Sequence, residues 1–268
     1  MSKTKKFLTV ALALMVPLMA ASQASAAGES VYSKTTLVPK HGKFKRHARV
    51  PSKLTIQATV TPGATSLTVN PTKAIRFKFP AGFTLKPNRK VCSDKKLNSG
   101  SSLGSPKRVV DSCRKAVVGT GRAMIYLSKQ KTAPLKDPIL VAFNAGKNRK
   151  GQPKLKIYGY SKGTGVGILM NATLKGRMLN LAIPVLSFDS AVGQFKLQLP
   201  GPTLKAPDLG LTVKGLNPRY VLGSCPHSPL VSSATFFLGE RDPATGQATS
   251  KTTKVSSPKT AQKCRNGR

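Results

Sequence analysis

Apolar and polar residues alternate along several short stretches of the chain. Within residues 54–61, Leu54, Ile56, Ala58 and Val60 alternate with polar neighbours, which is the pattern of a strand with one buried face. Comparable stretches, most of them bounded by Gly or Pro, are 75–79, 117–127, 139–143, 155–158, 166–174, 178–183, 195–199, 211–214, 234–239 and 249–256. Beyond residue 26, no window of about eleven residues has a helical period.

These short stretches predict an all-β protein. The chain has 20 prolines and 23 glycines, which are typical of the turns that join strands. We expect a β-sandwich of the Greek-key, immunoglobulin-like or jelly-roll type, with long loops and a hairpin turn at 175–177. The predicted domain covers residues 53–257, either as one unit or as two related halves, about 53–145 and 146–257. A basic tail, 258–268, follows it.

The first 26 residues have the organisation of a secretory signal peptide. Three lysines precede the apolar stretch 7–20, and Ala24-Ser25-Ala26 then forms a small-residue cleavage site. The alternative is a retained membrane anchor, but a spanning helix needs about 20 apolar residues. We therefore predict a signal helix that is cleaved near Ala26, no stable transmembrane span afterwards, and a secreted or envelope-associated protein.

Charge is the strongest feature of the composition. Lys and Arg number 45 against 8 Asp and Glu, giving a formal charge of +37, and removal of the leader would lower it to +34. Such an excess predicts salt-sensitive attraction to polyanions. The basic, aperiodic segment 27–52 is expected to be flexible. The basic residues predicted to contact polyanions are Lys45, Arg46, Arg49, Lys90, Lys147, Arg149, Lys150 and Lys154.

Four cysteines indicate disulfides in an exported chain. Three pairings are possible, and proximity along the chain favours Cys92–Cys113 and Cys225–Cys264. A zinc site built from Cys225, His227 and Cys264 is the alternative, but it lacks a fourth ligand. We expect no metal and no cofactor.

Few residues are suited to catalysis. The chain contains no Gly-x-Ser-x-Gly motif, and two of its three histidines, His41 and His47, lie in the segment expected to be flexible. A glycosidase needs two opposed carboxylates, and Glu240 and Asp242 are the nearest acidic pair in sequence. We therefore predict a protein that is not an enzyme. The alternative is a secreted enzyme that acts on an acidic polymer through His227, Glu240 or Asp242.

Several loose structural motifs occur together in this chain. They are the turn Gly82-Phe-Thr-Leu-Lys-Pro87, the first cysteine pair, the run from Val118 to Ala123, and a terminal hairpin closed by Cys225 and Cys264. In this arrangement the mature chain resembles a group of uncharacterised secreted proteins from high-GC Gram-positive bacteria. The resemblance implies an exported β-sandwich and assigns no functional residue.

Together, these patterns predict an exported, non-enzymatic envelope or extracellular protein that contacts anionic polymers electrostatically. Wall polymers, acidic polysaccharides, anionic lipids and nucleic acid are the candidate partners. Nucleic-acid binding would be non-specific, because the chain has no Trp and only Tyr158 and Tyr160 stand beside a basic cluster. A structural or adhesive subunit that assembles by strand-edge pairing is a further alternative.

Overall fold

The computed structural model describes residues 28–63, 69–88, 90–97, 103–127, 134–185, 190–242, 244–245 and 247–264. The predicted signal peptide, 1–26, and residues 265–268 of the predicted tail lie outside them. The described residues form mostly antiparallel strands, so the all-β prediction is confirmed. None of the helices in the described ranges has the length and apolar character needed to cross a membrane.

The elements follow one another in chain order. The strands are β1 (Ser30–Pro39), β2 (Val50–Thr61), β3 (Thr72–Lys78), β4 (Thr84–Leu85), β5 (Val117–Leu127), β6 (Ile139–Lys147), β7 (Pro153–Ser161), β8 (Val166–Lys175), β9 (Met178–Ala182), β10 (Ser190–Leu199), β11 (Leu204–Ala206), β12 (Leu211–Val213), β13 (Val221–Gly223), β14 (Leu230–Arg241), β15 (Ala248–Ser256) and β16 (Thr260–Gln262). The helices are α1 (Asp94–Leu97) and α2 (Pro106–Ser112), with short 3-10 turns at Arg114–Ala116 and Pro207–Leu209.

Fourteen of these strands form one antiparallel sheet. Its hydrogen-bonded order is β15-β14-β3-β9-β8-β7-β6-β5-β10-β2-β13-β4, with β1 paired to β2 and β16 paired to β14. Strands β5 to β9 are a simple meander. The hairpin turn predicted at 175–177 does join β8 to β9, and Gly176 within it has a φ of 59°. The strands of the large sheet are hydrogen-bonded in one continuous order and do not divide into two separate sheets. The two packed sheets of a sandwich therefore stay a prediction.

The large sheet curves so that its two edges come together. Strand β1 contacts β14 and β16, and the Gln262 side chain donates to the Leu37 carbonyl and accepts from the Leu37 amide, both at 2.8 Å. Residues from both edges of the sheet belong to one apolar core, for example Val31 of β1 and Phe236 of β14. The sheet therefore encloses a single interior, which its inward-facing alternate residues line.

Strand β1 corrects one prediction. We expected residues 27–52 to be flexible, but Ser30–Pro39 is a regular strand that pairs with β2 along its whole length. Its inward positions include Ser33 and Thr35, which are 2% and 6% exposed. The prediction was wrong because small polar residues at buried positions hide the alternation on which it was based.

A second, smaller core covers the outer face of strands β5 to β7. Helix α2 and the separate β11–β12 hairpin pack there. Val109 and Val110 of α2 form one apolar cluster with Val141 and Phe143 of β6. Strand β6 is therefore buried on both faces, which explains its continuous apolar run. Strands of the two proposed halves interleave in one sheet, since β2 pairs with β10 and β3 pairs with β9. A related-halves origin stays a prediction.

Candidate functional site

The antiparallel register gives the wrapped sheet two distinct ends. Leu199 pairs with Leu54, Lys147 with Pro153, and Lys175 with Met178, so the loops beside these pairs share one end. We call this the basic end. It comprises residues 40–49, 79–88 with 90–92, 148–152, 176–177, 219–229 and 257–264, together with the strand termini that they adjoin. Residues 62–63, 162–165 and 183–185 lie at the other end, which we call the cavity end.

The segments of the basic end carry many cations and no acidic residue. Their basic residues, including those at the adjoining strand termini, are Lys40, Lys43, Lys45, Arg46, Arg49, Lys86, Lys90, Lys147, Arg149, Lys150, Lys154, Lys175, Arg177, Arg219, Lys259 and Lys263. At the cavity end lie Glu29, Asp137, Glu240 and Asp242. The basic end therefore has a large local excess of positive charge, whereas the acids of the cavity end are offset by basic residues such as Lys73, Lys162 and Arg241. Polyanions are attracted to the basic end.

Backbone hydrogen bonds hold the basic loops together. The Cys225 amide donates to the Lys45 carbonyl at 3.2 Å, and the Lys86 amide donates to the Tyr220 carbonyl at 2.7 Å. The Asn144 side chain in turn donates to the Lys90 carbonyl at 2.8 Å. A chain of contacts thus runs from the β1–β2 loop to the β6–β7 hairpin, and the cations are carried on loops anchored to the sheet.

A groove at this end brings together four nitrogen-bearing side chains. Arg46, His47 and Arg49 from the β1–β2 loop line it with His227. The groove depends on the close approach of Gly82, whose φ is 84° and where an added Cβ would lie 2.5 Å from the Ser224 carbonyl oxygen. Guanidinium groups on such a surface suit phosphate and carboxylate groups, which they bind in a bidentate manner.

The eight residues predicted to contact polyanions all lie at the basic end. Seven are exposed and Lys154 is half-buried. The structure adds basic residues that sequence clustering missed, among them Lys175, Arg177 and Arg219. They lie outside the basic clusters of the sequence, and knowledge of the strand pairing is needed to place them beside the others.

Both predicted disulfide pairings are confirmed. Cys92 is bonded to Cys113, and Cys225 to Cys264. The first closes the small outer core, and the second ties the C-terminal segment beside the groove. The sulfurs of the hypothetical zinc site are thus bonded to each other, and no three His, Cys, Asp or Glu residues of the described ranges are grouped to hold a metal ion.

The candidate catalytic residues lie at opposite ends of β14. His227 precedes this strand at the basic end, whereas Glu240 and Asp242 lie at its far end. The Asp242 carboxylate accepts hydrogen bonds from the amides of Thr245 and Ala244, which lower its pKa and make it a turn-stabilising group. The described geometry therefore does not bring the histidine and the two carboxylates together.

The cavity end contains an apolar cavity of about 560 Å³. Inward-facing residues of β5 to β10 form most of its wall, including Ala123, Ile125, Leu140, Ile157, Gly159, Ile168, Met170, Leu181, Ile183, Val192, Phe195 and Leu197. It reaches the surface beside Thr164 and Val166, which are both exposed. None of its described lining residues carries a charge.

The two tyrosines predicted as stacking partners do not serve the basic end. Tyr158 is buried, and its hydroxyl donates to the Leu103 carbonyl. Burial raises the pKa of this phenol. Tyr160 lines the cavity at the opposite end of the sheet. Neither tyrosine is therefore available at the basic end to stack on the bases of a nucleic acid.

Comparison with protein-family models, with curated proteins and with solved structures finds no match for this chain. Function is therefore argued from the two ends of the sheet.

Proposed function

We propose that the protein is an exported, non-enzymatic envelope or extracellular protein that binds anionic polymers through its basic end. The observation that supports this most strongly is the convergence of Lys- and Arg-rich segments at one end of the sheet. The positive potential of a surface falls off over about 10 Å at moderate salt, so clustered cations attract a polymer far better than the same cations dispersed.

Polymers with repeated phosphate or carboxylate groups fit this surface best. The groove formed by Arg46, Arg49 and the two histidines accommodates individual anionic groups, and the surrounding lysines interact with successive ones. Binding of this kind depends on charge rather than sequence, so nucleic acid would bind non-specifically and with strong salt dependence. Neither predicted tyrosine is placed to stack on its bases.

Binding of the mature protein to polyphosphate tests the proposal. The variant Lys45→Glu/Arg46→Glu/Arg49→Glu reverses three charges of the basic end. We expect its affinity at low salt to fall about a hundredfold, because each Lys or Arg near an anionic surface contributes about 1 kcal/mol. The measurement is a titration at low and high salt, with neutral dextran as the polymer control.

The matched control is Lys136→Glu/Lys196→Glu/Lys251→Glu, which changes net charge equally at exposed sites away from the basic end. We expect it to lose clearly less affinity. Equal losses in the two variants, or affinity that does not change with salt, would contradict binding at the basic end.

Export is a separate part of the proposal. It is supported by the leader sequence and by two disulfides, which persist in oxidising compartments. Expressed with its leader in a secreting bacterium, the protein should leave the cytoplasm and begin at Ala27. Retention of residues 1–26 on a cytosolic protein with reduced cysteines would contradict this part alone.

A further inference from the structure

We infer that the apolar cavity binds a neutral, lipid-like molecule with an apolar body and one uncharged hydrogen-bonding group, which contacts the Thr72 hydroxyl. The cavity lies at the cavity end and shares no lining residue with the groove of the basic end. This inference is therefore independent of the proposed polyanion binding.

The size and composition of the cavity match a small-molecule site. Its volume of about 560 Å³ falls within the range of about 300–1,000 Å³ that is usual for such sites. Apart from the aromatic Phe195 and Tyr160 and three hydroxyl-bearing residues, Thr72, Ser161 and Thr164, the wall is aliphatic. Water inside would find few polar partners, and an empty space would leave the wall atoms without dispersion contacts. An apolar occupant removes both costs.

One residue of this wall carries a polar atom that has no hydrogen-bond partner among the described residues. Thr72 is 2% exposed, and this atom is its buried hydroxyl oxygen, Oγ1. Buried hydroxyls are normally paired, because leaving one unsatisfied is unfavourable. A hydroxyl or carbonyl group of a ligand would satisfy it.

The other polar lining side chains are partly committed to the protein itself. Ser161 Oγ donates to the Asp137 carboxylate at 3.0 Å, and Thr164 Oγ1 accepts from the Val166 amide. Since no described lining residue is charged, nothing in the wall compensates an ionised head group placed inside. The chemistry thus favours an alcohol or another neutral lipid over a fatty-acid carboxylate.

Displacement of a neutral fluorescent probe, N-phenylnaphthylamine, tests the site. We expect the mature protein to bind this probe, and hexadecanol to displace it more strongly than palmitate at neutral pH. Gly159→Val places a side chain on the cavity wall and so narrows the cavity. The fold should tolerate it, because an added Cβ would lie 3.4–3.6 Å from the side chains of Ile168, Leu140 and Met170, which is ordinary contact. Its affinity for the probe should fall more than tenfold, and Ala123→Phe should have the same effect by a second route.

Ala182→Phe is the matched control for Ala123→Phe, because Ala182 is exposed at the end of β9. This variant should bind the probe normally. Thr72→Val should weaken hexadecanol about three- to tenfold, the effect of one hydrogen bond, and leave hexadecane unchanged. Circular dichroism and thermal unfolding establish that each variant is folded.

Absence of probe binding to the folded wild-type protein overturns the inference, as does undiminished binding by both cavity-narrowing variants. Equal weakening of hexadecanol and hexadecane by Thr72→Val would overturn the assigned contact. Lys45→Glu/Arg46→Glu/Arg49→Glu should bind the probe normally, so failure of the polyanion proposal leaves this result intact.

Discussion

The two ends of the wrapped sheet are filled differently, although the same strands run through both. At the basic end, aromatic rings fill the interior. The ring centroids of Phe79 and Phe83 are 4.4 Å apart, and Phe44 and Tyr220 are also buried. At the cavity end, small and aliphatic residues such as Ala123 and Gly159 face a space of about 560 Å³. One end is thus solid and bears charged loops, and the other is hollow and apolar.

This difference separates stability from binding in the molecule. Side chains that fill an interior stabilise it through close packing, whereas a hollow interior sacrifices some packing for space. Both disulfides also lie towards the solid end, one beside the groove and one over the outer face of β6. We expect the basic end to be the more stable region and the cavity end to be the more readily deformed one.

Matched leucine truncations give the largest expected effect. Leu54 packs in the filled part of the interior and is 1% exposed, whereas Leu181 is 3% exposed and lines the cavity. Leu54→Ala should cost about 4–5 kcal/mol of unfolding free energy and Leu181→Ala about 2–3 kcal/mol, the two parts of the range for such changes. Chemical denaturation measures both. Equal costs would show that the two ends are packed alike.

Removal of a disulfide should have the next largest effect. The bonded cysteines are 21 and 39 positions apart along the chain, and closing loops of this size contributes about 3–4 kcal/mol in the chain-entropy picture. Cys225→Ser/Cys264→Ser should therefore lower the melting temperature and weaken polyphosphate binding by loosening the groove. Probe binding at the cavity end should persist. Loss of the probe but not of polyphosphate would reverse our assignment of the two ends.

Glu29 gives the smallest effect and reports on the cavity end. Burial raises the pKa of Glu29, although hydrogen bonds from Asn70 and the charge of Arg241 act to lower it. A carboxyl group whose pKa is higher in the folded state stabilises the fold at low pH. That contribution is lost as pH rises through the folded-state pKa. Relative to wild type, Glu29→Gln should therefore become more stable as pH rises from about 4 to 7.

Unfolding midpoints across this pH range measure the difference between the two proteins. Glu240→Gln is the control, because Glu240 is only half-buried near the same end. A Glu29→Gln difference that stays constant with pH would show that Glu29 titrates alike in the folded and unfolded chains.

Strands that bury one face and expose the other are readily predicted from sequence. Phe195–Leu199 alternates and lies within β10, and the pattern of 117–127 coincides with β5. Prediction failed for β1, where Ser33 and Thr35 occupy inward positions. Helices α1 and α2 are four and seven residues long, too short to establish a helical period.

The candidate sites were predicted less completely, for a physical reason. Basic clusters such as 147–150 are visible along the chain, but their convergence with the β1–β2 loop depends on strand pairing. The cavity left no signature in the sequence, because inward-facing apolar residues produce the same alternation around a filled space and around an empty one. Thr72 is equally silent, since a threonine at the start of a strand is ordinary.

Amide hydrogen exchange of the mature protein with and without polyphosphate tests the central claim most directly. We predict slower exchange in the loops 40–49 and 148–152 and in residues 222–227, with no change in 161–168 at the cavity end. Protection centred on 161–168, or spread evenly over both ends, would contradict the assignment of polyanion binding to the basic end.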